Sequence, residues 1–335
     1  MSLRSLLVHG AFAASLLGCT AHPPAVAPCP ATPPCPAAVP SPRTDNTLRD
    51  NDASKTLDEL ARSIRLSPED EALRKPKSLG DVRTILRRDT IYLFAEAAAF
   101  ARTLPSIEGR FAEATLELAL GESQLVASQV FTTQAAWTGA DLRIARAALA
   151  SEGPTPSTDR ARLLSQLIVV IEEGNKIADA LGIVGPKHLA RGAEVIRTLR
   201  KEAPTDPRTF ALLAEYHRLR GEWTEFDTAM RSAESADRTS PPLCYLRAME
   251  HLDRRRRPGD AASALRECLV KYPKFVRAQA ALVLTATHPR AALRELNKLK
   301  AMNDDHYLVM LLEPTLSADE ALEKLENKEA SDAAR

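Results

Sequence analysis

Nine prolines stand in the 23 residues from Thr20 to Pro42, in the stretch TAHPPAVAPCPATPPCPAAVPSP. Each proline fixes φ near −65° and removes a backbone donor, so neither helix nor sheet ladder forms through such a tract. The predicted conformation is extended polyproline II at about 3.1 Å per residue, a semi-rigid stalk on the order of 70 Å long. The segment therefore separates the residues before it from those after it. The folded part of the chain must be sought beyond residue 53.

That part of the chain has the composition of a helical protein. Aromatic residues make up only 4% of the chain, while Ala, Leu, Arg and Glu are abundant, which favours helix over strand. About 280 residues remain after the stalk, enough for one elongated unit or two compact ones. The fold class is predicted all-α. Thr56 to Leu60 open a first short helix. Ser67-Pro68-Glu69-Asp70 starts another, with proline in the first turn and acids at the positive helix end. Ile91 to Ala101 is apolar but interrupted by Glu96, and it is too short to cross a bilayer, which takes about 20 residues. It reads as a core helix. Helical periodicity runs from Ile107 to Trp137, and Gly153-Pro154-Thr155-Pro156 breaks it. The next helix carries the uncharged run 163–171, read as buried, and is expected to end between Gly182 and Pro186.

Before the stalk, Arg4 is the one charge ahead of an apolar stretch from Leu6 to Leu17. That length suits an export signal and not a membrane span. Leu16-Leu17-Gly18-Cys19 resembles the lipobox of bacterial lipoproteins. The resemblance implies cleavage before Cys19, a thioether-linked diacylglycerol on its thiol and an acyl chain such as palmitate on the new amine. A residue carrying several chains anchors firmly, since one chain alone holds marginally. It further implies a place in the cell envelope, and Thr20 after the cysteine favours the outer membrane, facing the periplasm.

A second resemblance lies further along. Pro204 follows LRKEA and Pro273 follows LVKY, about 69 residues apart, close to two periods of the roughly 34-residue tetratricopeptide repeat. Units starting at Pro207 and Pro242 place Phe210, Leu213, Ala214, Gly221, Met230 and Ala233 in the first. Tyr245, Ala248, Ala261, Leu265 and Cys268 fall in the second. These resemble the aromatic, small and turn positions of that family, though Phe226, Met249 and the long turn from Arg254 to Asp260 depart from it. The resemblance implies antiparallel helical hairpins stacked as a superhelix, with a concave face suited to binding. On that register the groove face carries Arg208, Glu215 and Arg218 in one unit and Leu246, Glu250 and Asp253 in the next, a mixed charged surface suited to a peptide or protein segment.

The organisation so predicted is a signal peptide over 1–18, a lipidated cysteine and linker over 19–53, a helical region over 54–186, repeats over 187–300, and C-terminal helices and tail over 301–335.

Chemistry is sparse. No GxSxG, HExxH, phosphate-loop or dinucleotide-binding signature is present, and histidines do not pair at metal spacing. The expectation is no enzyme activity, no metal and no cofactor beyond the covalent lipid on Cys19. The formal charge of +1 falls to zero once Arg4 is removed with the signal, which gives no electrostatic case for nucleic acid. The run Arg254 to Arg257 reads as a solvated turn beside Asp253 and Asp260, and Asn303-Asp304-Asp305-His306 as a turn between helices. Glu96 is either a carboxylate of raised pKa in a cleft or a helix residue that reaches solvent. Cys29 and Cys35 have no assigned partners. Cys244 and Cys268 fall near the start of one helix and the end of its hairpin mate, open either to a disulfide or to two separate buried thiols, with the thiols preferred. The leading expectation is a membrane-anchored adaptor that binds an envelope protein or peptide segment. The alternative is a solute- or lipid-binding lipoprotein that works with a transporter. A large enclosed apolar cavity would favour the second, an open groove with exposed side chains the first.

Overall fold

The computed structural model describes residues 66–137 and 159–333, and besides these only Glu59 and Ala150. Cys19, Cys29, Cys35, the proline tract and the break at 153–156 lie outside the described residues. So does the helix expected from Thr56, except for Glu59, which is helical.

Among the described residues the chain is all helical. Twelve α-helices occur in order: α1 Pro68–Ala72, α2 Leu79–Arg88, α3 Phe94–Thr103, α4 Ile107–Trp137, α5 Asp159–Glu202 and α6 Pro207–Arg220. After them come α7 Trp223–Ala236, α8 Pro241–Asp253, α9 Pro258–Lys271, α10 Val276–Leu284, α11 Pro289–Met302 and α12 Tyr307–Ala333. The helix starts are written locally. Ser67 caps α1, and a reciprocal capping box between Ser78 and Asp81 opens α2. Proline occupies the first turn of α6, α8, α9 and α11, where its missing N–H is no loss. Gly221 ends α6 at φ 70°, a left-handed conformation that a Cβ disfavours.

The long helix α4 organises the rest. It packs against α3, α5, α6 and α12, and a helix surrounded in this way buries apolar residues on several sides and its acids, Glu113, Glu117 and Glu122, only beside cationic partners. Leu116, Ala119 and Leu120 pack with α2 and α3, whereas Phe111, Ala114 and Leu118 pack with α5 and Leu212 of α6. The α4–α5 interface is close at Gly121, where a Cβ would stand 2.5 Å from the Leu189 Cδ2. Three helix pairs, α6/α7, α8/α9 and α10/α11, follow; a continuous core from Ala214 and Phe226 to Leu282 joins the first two to α10, and α11 packs with α10 and α12 in a second core. Phe226 and Met249, which depart from the repeat pattern, are both buried in the first of these cores.

One expectation fails here. The helix expected to stop between Gly182 and Pro186 continues to Glu202, with Pro186 in its interior. A mid-helix proline costs about 3 kcal/mol. Burial of Leu189, Ile196 and Leu199 against α4 is worth on the order of 1.5–3 kcal/mol for each side chain, which outweighs it. The 186/187 boundary thus falls inside α5. Of the run 163–171, only Ser165 and Ile168 have described side chains, and both are half-buried. Glu96 is exposed on α3, so its solvent-reaching reading describes what is found.

The turn from Asn303 to His306 reaches back to the ends of α1 and α2. Asn303 Nδ2 donates to the Arg88 carbonyl and to Thr90 Oγ1, and Asp305 accepts from the Ser67 N–H at 2.9 Å. The Leu308 N–H donates to His306 Nδ1, which leaves Nε2 to donate to the Asp89 carboxylate at 3.1 Å. Asp89 is the left-handed C-cap of α2, at φ 56°. In this way the C-terminal turn fixes where α2 stands.

Candidate functional site

With α2 held in that position, a cleft of about 830 Å³ opens between α2 and α4 on one side and α6, α8 and the 271–277 segment on the other. Its floor is apolar and mostly buried: Phe111, Ala112 and Ala119 from α4, Ala211 and Leu212 from α6, and Leu246 from α8. Leu86, Pro241, Pro242, Tyr272, Pro273 and Phe275 rise around it. A pocket in the range of about 300–1,000 Å³ suits a small ligand.

Behind one wall sits a buried charge cluster. Glu122 of α4 receives the guanidinium groups of Arg218 and Arg277 and the Tyr245 hydroxyl, the last at 2.8 Å. Arg277 also donates to Glu215, and Arg218 donates to Asp253 at 2.6 Å. Burial alone would raise the Glu122 carboxyl. Arg218 and Arg277 overcome this and hold it down at about 2, so it is ionised at neutral pH. The same burial pushes the Tyr245 hydroxyl well up, which keeps it a donor. The cluster ties α4 to α6, α8 and α10 and leaves its polar atoms facing the cleft already bonded.

The groove residues expected from the repeat register separate into two sets. Arg208, Glu215 and Leu246 line the cleft. Arg208 lies over the Phe111 ring at 3.9 Å and bonds Glu108 at 2.9 Å. Arg218 and Asp253 are paired with each other, Arg218 also with Glu122, and neither lines the cleft. Glu250 answers Arg254 and Arg255 at the end of α8, the latter at 2.9 Å. The reason is α4, which covers part of the face that the hairpins alone would present as an open groove. Sequence reasoning missed Glu122 and Arg277. A signal for Glu122 existed: it is the lone acid between Ala119 and Val130 in an otherwise uncharged stretch. Nothing local marked Arg277, whose role arises from three helices converging on α4.

Cys244 and Cys268 are joined as a disulfide between α8 and α9, with Cα atoms 5.7 Å apart, within the usual range of about 4.4–6.8 Å. Of the two arrangements left open by their spacing, the less preferred one is present. Each cysteine is also close in sequence to cleft residues: Cys244 lies between Pro242 and Tyr245, and Cys268 three residues before Lys271.

Within the Arg254–Arg257 run, Arg254 pairs with Asp227 and Glu250, Arg255 with Glu250 and Arg257 with Asp260. Among the described residues no group of side chains could hold a metal ion, and no helix is long and apolar enough to cross a membrane. Comparison of the chain with protein-family models and with curated proteins finds no match to either.

Proposed function

We propose that this chain is a lipid-anchored, non-enzymatic binding protein of the bacterial cell envelope, whose cleft receives a solute or lipid-like ligand. Cys19 would carry the anchor in the outer membrane, and the proline tract would hold the helical body toward the periplasm. The observation that carries the ligand reading is the cleft itself. Its floor is apolar and built of buried side chains beneath an open mouth, and α4 occupies part of what would otherwise be an extended peptide groove. A ligand of this kind suits a lipoprotein that passes cargo to or from a transporter.

The adaptor reading is supported by a different observation. The three stacked hairpins resemble a tetratricopeptide-like superhelix in their proline-opened helices and small packing residues. Stacked repeats commonly present surfaces to partner proteins, and an adaptor would bind an envelope protein or peptide segment there.

Two measurements test the proposal. Cys19→Ala is expected to release the protein from membranes in a high-salt wash; retention in the outer-membrane fraction would refute the anchor. Protein released from purified envelopes, denatured and extracted, is expected to yield a small molecule at near-equal molar ratio by mass spectrometry. If crosslinking in intact cells instead captures one protein stoichiometrically through cleft residues, and no small molecule is extracted, the adaptor reading replaces it.

A further inference from the structure

The charges around the cleft mouth are unevenly neutralised. Arg83 and Arg208 share Glu108, and Arg277 is divided between Glu122 and Glu215. Asp89 is engaged by His306. Three further cations line the cleft without a carboxylate partner: Arg87 on α2, bonded to the Thr84 hydroxyl, and Lys271 and Lys274 across the mouth. All three are exposed. Glu267 stands one turn before Lys271 on α9, and no ion pair joins them. Among the exposed residues of the lining, the charges without an ion-pair partner are therefore all positive.

The floor has a different chemistry. Phe111, Ala112, Ala119, Ala211 and Leu246 offer no side-chain donor or acceptor, and their backbone groups lie within helices. The polar groups that do reach it are committed internally, Tyr245 to Glu122 and Arg277 to Glu122 and Glu215. A peptide laid on this floor would lose water from its backbone N–H and C=O groups and find no partners, a cost that an alkyl chain does not incur.

We propose that the cleft binds a single-chain amphiphile with an anionic head, its apolar tail on the floor from Phe111 to Leu246 and its head between Arg87, Lys271 and Lys274. This deepens the ligand-binding reading above and rests on the cleft being the binding site. The head is a carboxylate or a phosphate; both supply acceptor oxygens to exposed cations. Each cation contributes about 1.4-fold to fivefold in affinity, the range of exposed charge pairs.

The test uses the full chain carrying Cys19→Ala, purified without detergent, and the neutral apolar fluorophore N-phenyl-1-naphthylamine. Dodecanoate or dodecyl phosphate is expected to displace the probe at concentrations at least tenfold below those needed with dodecan-1-ol, and dodecyltrimethylammonium to displace it least. The more potent of the two anions identifies the head. The triple variant Arg87→Gln, Lys271→Gln, Lys274→Gln is expected to erase the gap between anionic and neutral competitors, each read as an inhibition constant corrected for the variant's own probe affinity. Equal potency of dodecanoate and dodecan-1-ol, or an unchanged gap in the triple variant, overturns the anionic-head assignment and leaves the cleft reading standing. Ala211→Phe on the floor and Pro242→Trp at the exposed mouth are expected to abolish probe binding. If both fold, by circular dichroism and melting temperature, and both bind the probe as before, the cleft is not the site and the underlying reading falls. Displacement by an acidic apolar peptide at lower concentration than dodecanoate overturns the amphiphile in favour of a protein segment.

Discussion

Replacing Glu122 with glutamine tests the buried cluster that holds α4 to α6, α8 and α10. The amide keeps the size of the carboxylate and its oxygen still accepts from Tyr245, but Arg218 and Arg277 lose the charge they face. The carboxyl is held at about 2 in the folded protein against an ordinary 4.5, and each pKa unit corresponds to about 1.4 kcal/mol, so the charged form contributes on the order of 3 kcal/mol. Removing one partner from a buried ion pair costs about 3–5 kcal/mol, a similar magnitude. Because the folded pKa is depressed, this stability is fully present above the unfolded pKa. It is lost as pH falls from about 4.5 toward 2. Urea unfolding followed by circular dichroism at 222 nm is therefore expected to show Glu122→Gln less stable than wild type by about 3 kcal/mol at pH 7. At pH 3 the difference shrinks to about 1 kcal/mol, because most of the wild-type contribution has gone. Glu96→Gln, at an exposed position on α3, serves as the control and is expected to lie within about 0.5 kcal/mol of wild type at both pH values. A loss below about 1 kcal/mol at pH 7, or an equal loss at pH 3, would refute the assignment of the cluster as charged and stabilising.

Thiol counting on denatured, unreduced protein with peptide mapping is expected to recover a linked Cys244–Cys268 peptide; two free thiols there would contradict the bridge. Replacing both cysteines with alanine is expected to lower stability by on the order of 3 kcal/mol, the loop-closure value for about 24 residues, read from the urea midpoint. Deleting residues 20–45, which hold almost no large apolar side chain, is expected to leave the melting temperature of the helical body unchanged. A fall of more than a few degrees would mean that the tract packs on it.

The helices themselves were legible because their determinants are local. Ser67-Pro68, Pro207 and Gly221 mark ends through single-residue backbone preferences, and the periodicity from Ile107 to Trp137 marks a helix one residue at a time. The order of the hairpins comes from the same signals, as does the absence of strands among the described residues. Pro186 shows the limit of local reading: its cost is fixed by the chain, but the packing of Leu189 against Gly121 that outweighs it comes from a helix more than 60 residues away. The cleft lay beyond local signals for the same reason. Repeat register placed Arg208, Glu215 and Leu246 on one face, but it could not place α4 across that face. Nor could it bring α2 to the mouth through contacts between Asp89 and His306, which stand 217 residues apart. Side-chain spacing along a helix is a property of the chain, whereas the neighbours that a face meets depend on which buried surfaces close together. Tertiary packing alone therefore buried Arg218 between Glu122 and Asp253 and left Arg87, Lys271 and Lys274 without carboxylate partners.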